Sequence, residues 1–185
     1  MILAQLSESQ IYRLTSLPYR VGLYISESDQ SGGDAANENE IRALENIIYG
    51  FADGMFGVEL IQDIMARTVQ QKDEWSKWQG DLDKVPEECR DALSILSAYV
   101  NVKMRQSFAQ RLIDIGEAVA LAFREDISSQ SGFSRLKARF RYWGMVREAK
   151  SKKLPVRSFD AFLSISARER EALLKVARAM NVTYV

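Results

Sequence analysis

Apolar residues recur along most of the chain at steps of three and four, which places them on one face of an α-helix, and no stretch shows the alternation of a half-buried strand. Ser7-Glu8-Ser9-Gln10 has the S-x-x-Q form of a capping box and opens a segment in which Ile11, Leu14 and Leu17 share a face ahead of Val21 and Ile25. Pro18 carries no N–H and is expected to kink or interrupt this helix. Turn chemistry marks Ser28 to Asp34 as a loop. Asn37 to Glu40 reads as a second capping box, ahead of Ile41, Leu44, Ile47, Ile48 and Phe51 on one buried face. Asp53-Gly54 ends that helix, and the next carries Phe56, Leu60, Ile64 and Val69. Trp75 and Trp78 fall on a short polar turn or helix, where they cover the core edge.

Pro86-Glu87-Glu88 suits a first helical turn, with proline near its start and acids at the positive dipole end. Phe108, Leu112, Ile115, Val119 and Ala122 alternate steps of four and three among small residues, the pattern of a central helix. Residues 127–132 read as a break, Leu136, Phe140 and Trp143 as the stripe of a basic helix, and residues 150–155 as another break. A last helix is expected from Ser166, capped through Glu169, burying Leu173, Leu174, Val176, Ala177 and Met180. The pattern predicts an all-α fold: a compact single-domain bundle of about seven to nine helices over residues 1–185, with two pseudo-repeated helical units. Leu44, Ile48, Ile115, Val119, Leu173 and Val176 are expected at its centre.

Composition narrows the chemistry more than the fold. The chain contains no histidine, which removes His-based triads, histidine acid–base catalysis and His-ligated zinc or iron sites. Its one cysteine, Cys89, can form no intramolecular disulfide, and no apolar run reaches the length of a membrane span, so a cytoplasmic protein is expected. Net charge is zero, yet residues 1–100 hold 8 Lys/Arg against 17 Asp/Glu, while residues 101–185 hold 17 against 8. Either the halves attract each other across the fold or one face meets an acidic partner.

Two segments are alike at low stringency. One helix ends in Tyr24-Ile25-Ser26-Glu27-Ser28-Asp29 and another in Ala122-Phe123-Arg124-Glu125-Asp126; each precedes a helix opening E-x-x-A-L, at Glu40 to Leu44 and at Glu169 to Leu173. With these motifs, and with Ile115 to Glu125 and Ile165 to Glu169, the chain resembles the tellurite-resistance TerB-like family over most of residues 7–181. The A-D-G-x-x-x-x-E pattern of that family stands at Ala52 to Glu59, one helix later than expected. The resemblance implies a non-enzymatic cytoplasmic module of metal or oxyanion stress that docks with other tellurite-resistance proteins. It requires no cofactor and leaves room for a divalent cation. The acids it carries over are Glu27, Asp29 and Glu40, with Glu125, Asp126 and Glu169 in the second unit, and carboxylate oxygens suit hard cations. Glu40 and Glu169 also read as capping-box residues holding their own helix starts. Asp29 to Glu40 is no EF-hand, because its sixth position is Asp34 where glycine is required.

Arg135, Lys137, Arg139, Arg141 and Arg147 form a basic patch that suits an acidic protein, nucleic acid or membrane surface; no nucleic-acid motif accompanies it, and a solvated helix face, or one paired to the acidic half, explains it more simply. Asp114 and Glu117 lie one turn apart, ordinary spacing for surface carboxylates, and no Walker-A or G-x-G-x-x-G pattern is present. An enzyme is not expected.

Overall fold

The computed structural model describes residues 2–28, 34–54, 58–122 and 167–184, with side chains for all of these except 34–40 and 167. Among the described residues every regular element is helical. The α-helices are α1 (Glu8–Glu27), α2 (Asp34–Asp53), α3 (Glu59–Gln70), α4 (Val85–Ser97), α5 (Val102–Ala122) and α6 (Ala167–Ala179). Short 3₁₀ helices stand at Leu3–Gln5, Lys72–Gln79 and Leu82–Lys84. The helix positions expected at Phe56 and Ser166 and the basic helix expected over residues 135–157 lie outside the described residues.

Helix α1 starts where its capping chemistry places it: the Gln10 N–H donates to the Ser7 hydroxyl at 3.3 Å, and the Ser7 N–H donates to Gln10 Oε1 at 2.9 Å. Pro18 does not interrupt it, contrary to the sequence expectation. The helix is continuous from Glu8 to Glu27, and every residue from Leu14 through Leu23 is buried. That packing holds the helix through a residue that costs an exposed helix about 3 kcal/mol. The Thr68 hydroxyl of α3 lies 2.7 Å from the Thr15 carbonyl and 2.9 Å from its own helix's Ile64 carbonyl, giving α1 a polar contact next to the proline.

Helix α5 buries Phe108, Leu112, Ile115 and Val119 as its pattern demands, but it shares the centre with α1, which packs against α2, α3, α4, α5 and α6. All six residues expected at the centre are fully buried. Leu174, Val69 and Ile11 are only half-buried, since each sits at the margin of its helix's apolar stripe. Helix α2 begins at Asp34, so Asn37 lies inside it and is not its cap. Ala35 and Ala36 are strong helix formers, and an acid in the first turn complements the dipole, so the helix extends past the local capping pattern.

Two glycines set the spacing at the centre. A Cβ built on Gly22 of α1 would lie 2.2 Å from Leu44 Cδ1 of α2 and 3.4 Å from Val119 Cγ2 of α5. One on Gly116 of α5 would lie 2.8 Å from Leu173 Cδ2 of α6 and 3.1 Å from Ile25 Cγ1 of α1. The same arrangement thus occurs twice: a glycine seats the leucine of an E-x-x-A-L helix, and three residues beyond each glycine a β-branched residue, Ile25 or Val119, closes against the other glycine. Among the described side chains of α2 the buried ones, Leu44, Ile47, Ile48 and Phe51, fall at the same spacing as Leu173, Val176, Ala177 and Met180 along and just beyond α6.

Candidate functional site

The predicted acidic positions fall into three groups. Glu27 is the last residue of α1 and is exposed; Glu40 lies in the second turn of α2; Glu169 lies in the first turn of α6 and is 2% exposed. Asp29, Glu125 and Asp126 are outside the described residues, as is the side chain of Glu40. The helix register relates Glu27 to Glu40. Gly22 meets Leu44, while Tyr19, about one turn earlier on α1, stacks on Trp75, which in turn contacts Tyr49, more than a turn later on α2. The two helices therefore run antiparallel, and at a rise of about 1.5 Å per residue position 40 comes level with position 27. Glu169 differs in kind: it is buried and already engaged within the protein. Among the described residues no three His, Cys, Asp or Glu side chains converge as a metal site would require. Glu27 is thus the one predicted ligand whose side chain is both described and open to solvent.

A feature without local sequence signal lies on the opposite stretch of α1. Arg20 is 8% exposed, and its guanidinium makes a two-point contact with Glu88 of α4, Nε to Oε2 at 2.8 Å and Nη2 to Oε1 at 3.1 Å. It also donates to the carbonyls of Trp78, Gly80 at 2.8 Å and Asp81 at 3.3 Å. Asp81 adopts the left-handed conformation with φ 51°, so the chain turns sharply around the guanidinium. These partners are 58 to 68 residues away in sequence, which is why periodicity could not pair them. Burial of a planar, permanently charged group is matched here by acceptors on nearly every side.

Above Arg20 opens a groove of about 680 Å³ between α1, the turn at residues 77–81 and α4, lined by Tyr12, Arg13, Trp78, Lys84, Glu87 and Asp91 among others. Its charges are paired within the protein. Arg13 faces Asp91 at 3.8 Å, Lys84 holds Asp81 at 2.8 Å, Lys77 holds Glu74 at 2.9 Å and Arg90 holds Glu87 at 3.0 Å. The hydrogen bond from Lys84 lowers the Asp81 carboxyl below its ordinary value, and the hydrogen bonds that Lys77 and Lys84 donate to Glu74 and Asp81 raise the two ammoniums. A surface so neutralised offers no net charge to a polyanion or a metal.

Candidate nucleophiles fare no better. Cys89 is completely buried, and burial pushes its thiol well above the ordinary value, away from the thiolate that chemistry needs. Asp114, half-buried, accepts a hydrogen bond from Gln110 at 2.9 Å on its own helix. Comparison with family models, curated proteins and solved structures found no match to the chain. Among the described residues no helix is long and apolar enough to cross a membrane.

Proposed function

We propose that this chain is a non-enzymatic TerB-like helical module of the cytoplasm that serves metal or oxyanion stress by binding, with other tellurite-resistance proteins as partners. The observation that carries the reading is the doubled helix pair, Gly22 on Leu44 and Gly116 on Leu173, which is the repeated unit that the resemblance implies. A divalent cation would be gathered at the first interhelical loop, where Glu27 is exposed at the level of Glu40 and Asp29 follows in sequence. Two or three carboxylates at such a point repel one another, and a hard cation relieves that repulsion. The second unit is less suited, because Glu169 is buried.

Thermal melting in millimolar calcium, magnesium, manganese or zinc tests the reading. A bound cation raises stability by about 2.7 kcal/mol at a hundredfold excess over its Kd, and the double change Glu27→Gln with Glu40→Gln abolishes the increment while the helices stay folded. A melting temperature indifferent to all four metals removes the cation from the proposal. A second reading rests on the nine Lys/Arg between residues 135 and 157, which suit an interaction domain meeting an acidic protein, nucleic acid or membrane surface. It requires polyanion binding that weakens steeply with salt and on changing Arg139 and Arg141 to glutamate.

A further inference from the structure

On the face of α2 away from the α1–α5 glycine contacts, three groups converge on one ammonium. Glu45 and Tyr49 stand four residues apart on α2, hence on the same side of the helix. Trp75 comes from the 3₁₀ helix Lys72–Gln79; its indole N–H donates to the Thr68 carbonyl at 2.9 Å and its ring stacks on Tyr19 at 4.6 Å, so it is held rigidly. Lys72 Nζ donates to Glu45 Oε2 at 2.9 Å and sits 5.6 Å from the Tyr49 ring centroid and 5.9 Å from that of Trp75. The two rings are 6.3 Å apart, tilted by 46°. A carboxylate beside two π-faces is the chemistry that recognises alkylammonium groups.

The occupant is held differently from its surroundings. Trp75 is 4% exposed, whereas the Lys72 side chain is 46% exposed and reaches the rings on a flexible four-carbon stem. The hydrogen bond to Glu45 raises the Lys72 pKa, so the group there is a full cation across the physiological range. An exposed ion pair of this kind contributes little to stability, so its displacement costs the fold little.

From this geometry we infer that Glu45, Tyr49 and Trp75 form a binding site for an alkylammonium group, which Lys72 of the same chain occupies and which an external ammonium takes by displacing it. The site is separate from the acidic loop at Glu27 and does not depend on the function proposed above. Lys72 then acts as a tethered competitor: its effective concentration at the site weakens every external ligand, and its removal uncovers the intrinsic affinity.

Tetramethylammonium chloride, titrated against sodium chloride at equal ionic strength, is the probe, and the indole N–H resonance of Trp75 is the readout. In Lys72→Met, which keeps the apolar stem and removes the charge, the resonance shifts saturably. The unaltered protein responds about tenfold more weakly because its own ammonium competes, and Tyr49→Ala in the Lys72→Met background weakens binding by about threefold to fivefold, in line with loss of one exposed cation–π contact. Lys72→Gln serves as a second charge-removing variant, and circular dichroism verifies that each is folded. No saturable shift in either folded variant overturns the inference, as does an equal response from the variants and the unaltered protein, which would make Lys72 a surface staple only.

Discussion

At the scale of single residues the structure turns on two glycines and one arginine. Gly22 lets α2 approach so closely that an added methyl meets Leu44 Cδ1 at 2.2 Å, whereas at Gly116 the nearest atom, Leu173 Cδ2, is 2.8 Å away. Alanine gains up to about 1 kcal/mol in helix propensity, against an overpacking cost of about 1–3 kcal/mol. Gly22→Ala is therefore expected to lower stability by about 1–2 kcal/mol and Gly116→Ala by less, as urea denaturation would measure. Leu44→Ala should relieve part of the Gly22→Ala cost, a non-additive pair. Two stabilising glycine variants would show that the helices are not held apart by these contacts. Arg20→Met is the larger lesion: it strands the carbonyls of Trp78 and Gly80, while Glu88, 38% exposed, falls back on solvent, for a loss of about 2–3 kcal/mol. Arg20→Lys should recover only part of that, because an ammonium cannot reproduce the two-point contact with Glu88. Equal midpoints for the lysine variant and the parent would refute the role given to the fork.

Among the elements, helix starts were legible where the capping side chains are local and misread where they are not. The Ser7–Gln10 box needs only four consecutive residues, and Ser7→Ala should cost about 1 kcal/mol, visible as a lower urea midpoint with an unchanged slope. The same kind of pattern at Asn37 to Glu40 misleads, since the alanines before it carry α2 back to Asp34. Pro18 shows the converse limit. Its local penalty is real, but α1 is wrapped on all sides over Leu14 to Leu23, and burial of that many side chains at about 25 cal/mol per Å² outweighs one missing hydrogen bond. The tryptophans follow the sequence reading: both are buried in a short 3₁₀ helix at the core edge.

For the molecule as a whole, buried acids link stability to pH. Burial raises Cys89 above its ordinary value of 9.0, and burial likewise raises Tyr19 and Tyr24 above 10.0. A group whose folded pKa is raised binds its proton more tightly when folded, so its contribution is complete below the unfolded pKa and is lost as pH climbs past it. Stability should therefore be level to about pH 8.5 and fall progressively above pH 9, and Cys89→Ala should flatten the first part of that fall. Urea midpoints between pH 7 and 11 would measure it; a midpoint unchanged to pH 11 would mean that the thiol ionises freely in the folded protein. The all-α class carries its own check in far-ultraviolet circular dichroism, where a strand-dominated spectrum is excluded.

Helical periodicity by itself determined the fold class and the six central residues, and local capping and turn residues placed the starts of α1 and α4 and the end of α2, because a 3.6-residue repeat of apolar side chains is a local property that any sufficiently large core will bury in the same sense. The doubled E-x-x-A-L motif also belonged to the sequence, although which residues it sets against each other did not. Tertiary structure alone decided that Gly22 faces Leu44, that Arg20 is enclosed by a turn some sixty residues away, that Glu27 is exposed while Glu169 is buried, and that Lys72 lies against Tyr49 and Trp75. Each of these depends on the register and direction of two packed helices or a packed turn. Register is fixed by the summed fit of many side chains across an interface, and no single stretch of sequence contains that sum.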